Sequence, residues 1–169
     1  GFTNLVEIES KLKEFAYRKT KKECLDLPDK VYTKRLIALS DEQQLLYNDI
    51  RTQARATLSG QELTVTNVIT EILRLHQITC GYFKSREGDI QNVPNKRIEA
   101  LLEVCEDTDQ KIIIWATYVH NIQQINRELV KKYGVDSVVT FYGDTSIDKR
   151  TEAIERFQND PKCRFFVGN

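Results

Sequence analysis

No methionine occurs anywhere in the sequence, the first position included, so the chain is expected to begin inside a longer product or to have been processed. No sign of charge dominates either, because 25 basic groups face 25 acidic ones. Without an overall field to gather a polyanion, any contact with nucleic acid has to be local. The cysteines at 24, 80, 105 and 163 form no C-x-x-C pair, and with only His76 and His120 beside them there is no zinc-ligand spacing. They read as reduced thiols at core-like positions, suited to the cytoplasm of a bacterial or phage-infected cell or to a eukaryotic nucleus. There is no signal peptide, and the longest apolar run is far too short to span a bilayer, so no membrane partner is expected. No G-x-x-x-x-G-K-[ST] loop and no G-x-S-x-G elbow occur, which removes the usual signatures of phosphate cradling and of nucleophilic hydrolysis.

What is present is a strand-loop-helix unit, twice complete. Lys111 to Ala116 and Ser137 to Tyr142 each read as a short apolar strand that enters a small polar loop and then an amphipathic helix. The helices are marked by Ile122, Ile125 and Leu129, ending at Gly134, and by Ile147, Ile154 and Phe157. Such alternation predicts an α/β fold with a parallel sheet and right-handed crossovers. Trp115, inside a continuous apolar run, reads as core. A third strand, Arg164 to Val167, is followed only by Gly168 and Asn169. The expectation is a sheet cut within its domain, which hides Phe165 and Phe166 by self-association or by repacking its own helices.

The first thirty residues predict a basic helical stretch that ends near Leu27-Pro28. From Lys11 to Arg35 there are nine basic residues against four acidic ones, a charge run that equally suits a plain solvated face. Val31 to Leu39 reads as a strand. Ser40 and Gln43 form a capping-box pattern, and the helix they open carries Leu46, Ile50, Ala54 and Leu58 on one stripe. A second helix over about 64–79 places Val65, Val68, Ile69, Ile72, Leu73 and His76 on one apolar face, where His76 reads as a satisfied core histidine. Residues 81–94 are polar and turn-rich and read as a mobile loop, after which Asn95 caps a helix bearing Ile98, Leu101, Leu102 and Cys105.

Ligands of open parallel sheets bind outside the carboxyl ends of the strands. Here that edge is Thr117 to Asn121 after the first strand and Gly143 to Ser146 after the second. Both loops are rich in hydroxyls, amides and backbone donors, and both open a helix whose N-terminus favours an anion such as a backbone phosphate. Thr145 and Ser146 suit simple helix capping equally well, and Asp144 and Asp148 would repel a phosphate. His120 reads as a cap or packing residue at this edge.

Five stretches, in order, carry a resemblance to a family. Arg18-Lys19-x-Lys21-x-x-Cys24-x-x-Leu27-Pro28-x-Lys30, followed by Leu39-Ser40-x-x-Gln43-x-x-x-Tyr47, resembles the segment joining the two motor lobes of Swi/Snf-type DNA translocases of helicase superfamily two. Arg74-Leu75-x-Gln77-Ile78-x-Cys80 is similar to that family's Leu-Arg-Gln-x-Cys stretch, and Lys111 to Tyr118 to its motif IV. Tyr142-Gly143-Asp144-Thr145-Ser146-x-x-x-Arg150-x-x-x-Ile154-x-x-Phe157 resembles its strand-Gly-loop-helix signature. Trp115, Thr117 and Cys24 stand where the family usually has Phe, Ser and Val.

The resemblance implies a partial RecA-like lobe with a helical insertion, cut before motifs V and VI. Its parts would be an inter-lobe linker helix over 1–30, a strand of the lobe over 31–40, a helical protrusion over 41–95 and the lobe itself over 96–169. It implies a piece of the C-terminal lobe of an ATP-dependent double-stranded DNA translocase, with duplex DNA and the first motor lobe of the same protein as partners. ATP and Mg would belong to the intact motor, and this stretch would hold no cofactor, metal or catalytic group of its own and be inactive in isolation. Thr117, Tyr118 and Gly143 are the implied DNA-backbone contacts. Arg18, Lys19 and Arg150 would serve an interface or the structure, Arg150 by pairing with Glu residues of its own helix. The competing expectation is a non-catalytic α/β protein-interaction module, and a weaker one a flavodoxin-like small-ligand binder.

Overall fold

In the computed structural model, which describes residues 4–26, 28–60, 65–85 and 88–169, the chain divides into two units, 1–35 and 36–169. The first holds α1 (Leu5–Leu12) and α2 (Lys21–Cys24). In α1 an ion pair one turn apart, Glu7 to Lys11 at 2.9 Å, supports the helix locally. The continuous basic helix expected over 1–30 is therefore interrupted. Residues 16–20 have no apolar stripe to bury, and helices this short lack the packing that stabilises longer ones. A second start is supplied at Thr20, whose N–H donates to Glu23 Oε2 at 2.8 Å. Leu27 lies outside the described residues.

Residues 31–40 form no strand, contrary to the β-rich reading of Val31 to Leu39. Branched residues favour a strand only where an edge is available to pair with, and this segment joins no ladder. Leu36 is 94% exposed.

In the second unit, α3 (Asp41–Gly60) and α4 (Val65–Thr79) pack against each other and lead into an antiparallel hairpin, β1 (Tyr82–Lys84) and β2 (Ile90–Asn92). The capping box is formed as the sequence predicts: Gln43 N–H donates to Ser40 Oγ at 3.2 Å and Ser40 N–H to Gln43 Oε1 at 3.0 Å. Gln43 does more, since its Nε2 donates to the Ile78 carbonyl at 2.7 Å and the residue is only 1% exposed. Gln43→Leu keeps the volume but strands the Ser40 amide and leaves the Ile78 carbonyl with the Gly81 N–H as its one remaining donor. A loss of about 1–3 kcal/mol is expected in urea unfolding of the chain. Leu46 and Ile50 are half-buried, while Ala54, Leu58 and Val65 lie outside the described side chains.

The hairpin corrects the loop expected over 81–94. Gly81 makes it possible at a φ of +85°, where a side chain would also collide with Asn95 Nδ2. Val93 N–H then donates to the Gly81 carbonyl at 2.9 Å, and Tyr82 and Val93 are buried.

Asn95 Oδ1 accepts from Arg97 N–H at 3.1 Å and opens α5 (Arg97–Glu106). There follow β3 (Ile112–Trp115), α6 (Val119–Tyr133), a 3₁₀ turn at Val135–Ser137, β4 (Val138–Phe141), α7 (Ile147–Asn159) and β5 (Phe165–Gly168). The three strands are parallel in the order β3-β5-β4, so the last is the central one. On one face of the sheet, Ile114, Val138, Phe165 and Val167 pack with Cys105, Ile122, Ile125 and Leu129 of α5 and α6. On the other, Val139 and Phe166 pack with Ala153 and Cys163, flanked by Phe141 and Phe157. Burial raises the pKa of the Cys105 and Cys163 thiols above the ordinary value.

Phe165 and Phe166 are thus buried within the chain, by α6 on one side and α7 on the other. The open face lies elsewhere. Trp115, expected in the core, is 67% exposed, and Ile113 beside it on the same face is exposed too. The cause is strand order: β3 is an edge strand, and α7 covers that face only over β4 and β5. The apolar stripe of α4 is likewise open at Ile69, Ile72 and Leu73, and His76 is exposed rather than core.

Candidate functional site

The register aligns the carboxyl ends of all three strands. Trp115 and Phe141 both stand opposite Gly168, so the loops after β3 and β4 leave the same sheet edge on either side of the end of β5. With strands about 4.8 Å apart, the two loops are on the order of 10 Å from each other. Gly168 keeps this row close, because a Cβ there would come within 2.7 Å of the Phe141 carbonyl oxygen.

The first loop is short. Ala116 N–H still donates to the Gly168 carbonyl at 2.9 Å, Thr117 is exposed, and Tyr118 occupies the N-cap position of α6. Tyr118 Oη is hydrogen bonded to His76 Nδ1 at 3.0 Å, and its ring meets that of Tyr82 edge-on with centroids 5.4 Å apart. His120 Nε2 is hydrogen bonded to Asn92 Oδ1 at 2.9 Å, and Asn121 Nδ2 donates to the Cys80 carbonyl at 2.8 Å. Burial, and secondarily the neighbouring Arg127, lowers the His120 pKa. Both causes favour the neutral ring. Burial above all, then the adjacent Tyr118, pushes the Tyr82 hydroxyl up to about 12, and burial raises that of Tyr118 as well. His120 is a packing residue, as its sequence position suggests.

The second loop is tied from within by one side chain. Arg150 Nε donates to the Thr145 carbonyl at 2.8 Å, and its Nη2 donates to the carbonyls of Gly143 at 2.9 Å and Tyr142 at 3.3 Å. Its guanidinium lies 5.2 Å from the centre of the Phe141 ring. Arg150 thus bonds loop carbonyls and not the glutamates of its own helix that its sequence position suggests. The carbonyls converge on a cation because the loop turns them inward. Thr145 Oγ1 accepts from Tyr142 N–H at 3.2 Å, so its hydroxyl closes the loop, and no side-chain cap is made at Ser146. Gly143 is exposed, and a Cβ on it would meet nothing within 4 Å, so packing inside the chain does not require glycine there. Among the described residues nothing accepts from the Gly143 and Asp144 amides. Both loops therefore present backbone donors and a helix N-terminus on one edge, the arrangement that receives an anion.

The structure brings Thr117, Tyr118, Gly143 and Arg150 to this edge. Arg18 and Lys19 lie exposed between α1 and α2 in the other unit. Sequence reading missed the partners of Tyr118, because the contact with His76 and Tyr82 joins segments far apart in the chain. A groove of about 340 Å³ also runs between the free edge of β4 and α7. Its charged lining is mixed, Lys149 and Arg156 against Asp144 and Glu152, which suits no polyphosphate. Among the described residues no group of three metal-ligating side chains occurs.

Comparison with known proteins follows the same lines. Residues 95–168 match the helicase conserved C-terminal domain. A Bacillus subtilis protein named as an ATP-dependent helicase/translocase is 26% identical over 165 residues, covering 90% of this chain and 18% of that protein. A Mycoplasma genitalium protein named as an ATP-dependent helicase is 25% identical over 159 residues, covering 90% of this chain and 15% of its own length. The chain thus spans less than a fifth of either relative. Among solved structures, the Sulfolobus solfataricus SWI2/SNF2 ATPase core in complex with double-stranded DNA superposes with a TM-score of 0.70 at 24% identity, over 97% of this chain and 36% of that one. The C-terminal domain of the Sulfolobus SWI2/SNF2 ATPase gives 0.64 at 23% identity, over 79% and 60%. Residues 95–168 thus match the helicase conserved C-terminal domain, and the chain shares the α/β fold of the Sulfolobus SWI2/SNF2 ATPase C-terminal domain.

Proposed function

We propose that this chain is a DNA-contacting piece of the C-terminal lobe of an ATP-dependent double-stranded DNA translocase. The observation that carries the reading is the shared edge: two donor-rich loops, each opening a helix, flank the end of the central strand. Thr117 and Gly143 are the exposed members and touch the phosphate backbone of one strand. Arg150 holds the second loop in shape. The Sulfolobus core, solved with double-stranded DNA, supports a duplex as the ligand. In the intact motor, ATP and Mg would bind between this lobe and the first one, and closure of the two lobes would move the DNA. The residues of this chain supply backbone contacts to that cycle.

Because the chain has no net charge, binding rests on a few local contacts. A short duplex is expected to bind with a dissociation constant of about 10⁻⁴ to 10⁻⁶ M. For roughly two to four phosphates neutralised, the affinity falls as about the second to fourth power of salt concentration. Fluorescence anisotropy across a salt series reads both values. Binding without a salt slope would sink the reading and favour a protein-interaction module.

A further inference from the structure

Three side chains at the start of α6 hold three different parts of the helical insertion. Tyr118 meets His76 of α4, His120 meets Asn92 of β2, and Asn121 meets the Cys80 carbonyl at the turn between α4 and β1. The buried Tyr82 ring sits against both aromatic partners, with centroids 5.4 Å from Tyr118 and 4.7 Å from His120. Asn121 Oδ1 is buried without a partner, so this contact is not fully satisfied in the arrangement seen.

The residue type at 118 is the telling part. N-cap positions favour Ser, Thr, Asp or Asn, whose short side chains satisfy an open amide of the first turn. Tyr118 makes no such bond, although Thr117 is available one residue earlier. Its hydroxyl goes instead to α4, forty-two residues away in sequence. A local rule is broken here and the gain is a long-range tie.

We propose that Tyr118 is a positioning residue through which the helical insertion sets the conformation of the loop over 116–118. A displacement of α4 then reaches Thr117 through a single hydrogen bond and an aromatic contact, which makes the insertion a regulatory arm of the DNA-facing edge. The consequence for DNA rests on the reading under Proposed function, whereas the tie itself does not.

Hydrogen exchange on the purified chain separates the two. Tyr118→Phe removes the hydroxyl and keeps the ring against Tyr82, and His76→Ala removes the partner. Each variant is expected to speed exchange of amides 116–121 roughly 2- to 10-fold, the span of one ordinary hydrogen bond. The double variant should fall well short of the two effects combined, since both substitutions remove the same hydrogen bond, and amides of β5 should stay as they are. Unchanged exchange at 116–121, additive effects in the double variant, or equal acceleration in β5 would each overturn the inference. Duplex binding measured on the same samples keeps the readings apart. Wild-type binding with unchanged exchange removes only the tie, while the expected exchange pattern with no duplex bound removes only the DNA reading.

Discussion

Phe165→Ala is expected to lower the stability of the 36–169 unit by about 3–5 kcal/mol, much of the ~5–15 kcal/mol that holds a domain of this size together. Phe165 is fully buried on the central strand, between the Tyr133 ring at 4.9 Å and the Arg164 guanidinium at 4.9 Å. Arg164 in turn donates to the Cys105, Thr108 and Gln110 carbonyls, so the cavity walls are tethered and cannot collapse cheaply. Ile113→Ala, on the open side of β3, should cost far less, about 1 kcal/mol or below. Urea denaturation followed by circular dichroism checks both. Equal losses at the two sites would mean that the face bearing Ile113 and Trp115 is covered in solution.

Thr117→Asp is expected to weaken duplex binding roughly 10-fold at low salt, and Thr117→Lys to strengthen it. Two unit charges about 4 Å apart at a protein surface interact by up to ~4 kcal/mol before screening and rearrangement, and a tenfold change needs only ~1.4 kcal/mol. The salt slope should also change, steeper by about 0.9 with Lys if one further phosphate is neutralised. Anisotropy titrations with matched melting curves provide the check. If both variants bind as the parent does, the loop after β3 does not face the DNA.

The two strand-loop-helix units were legible because short branched runs such as Ile112-Ile113-Ile114 and Val138-Val139 alternate with helices of clear period. The loops at 117–121 and 143–146 were legible for the same reason, since the carboxyl edge of a parallel sheet is fixed by its topology. Strand order was not. Trp115 reads as core in a continuous apolar run, and only the placement of β3 at the edge, with α7 over β4 and β5, explains its exposure. Ile69, Ile72 and Leu73 show the same limit: periodicity marks one face of α4 but not whether anything in the chain covers it. The hairpin at 82–92 was hidden because its strands are three residues each, too short to show a period, and are held by pairing and by Gly81 rather than by pattern. The acceptors of Arg150 are carbonyls, groups that every residue has and no sequence pattern can single out.

The placement of β5 between β3 and β4 sets the order in which the sheet can form. Neither outer strand has a ladder partner until the segment after α7 has been made, so Ile112 and Val138 both wait for Phe165. During synthesis the two strand-helix units leave the ribosome with their apolar faces made and their pairing edges open, a state prone to association. Contacts this distant in sequence also slow the search for the native state. These three strands are thus joined from their centre by the one made after both of its neighbours, and expression conditions that slow aggregation rather than speed translation should favour recovery of the folded chain.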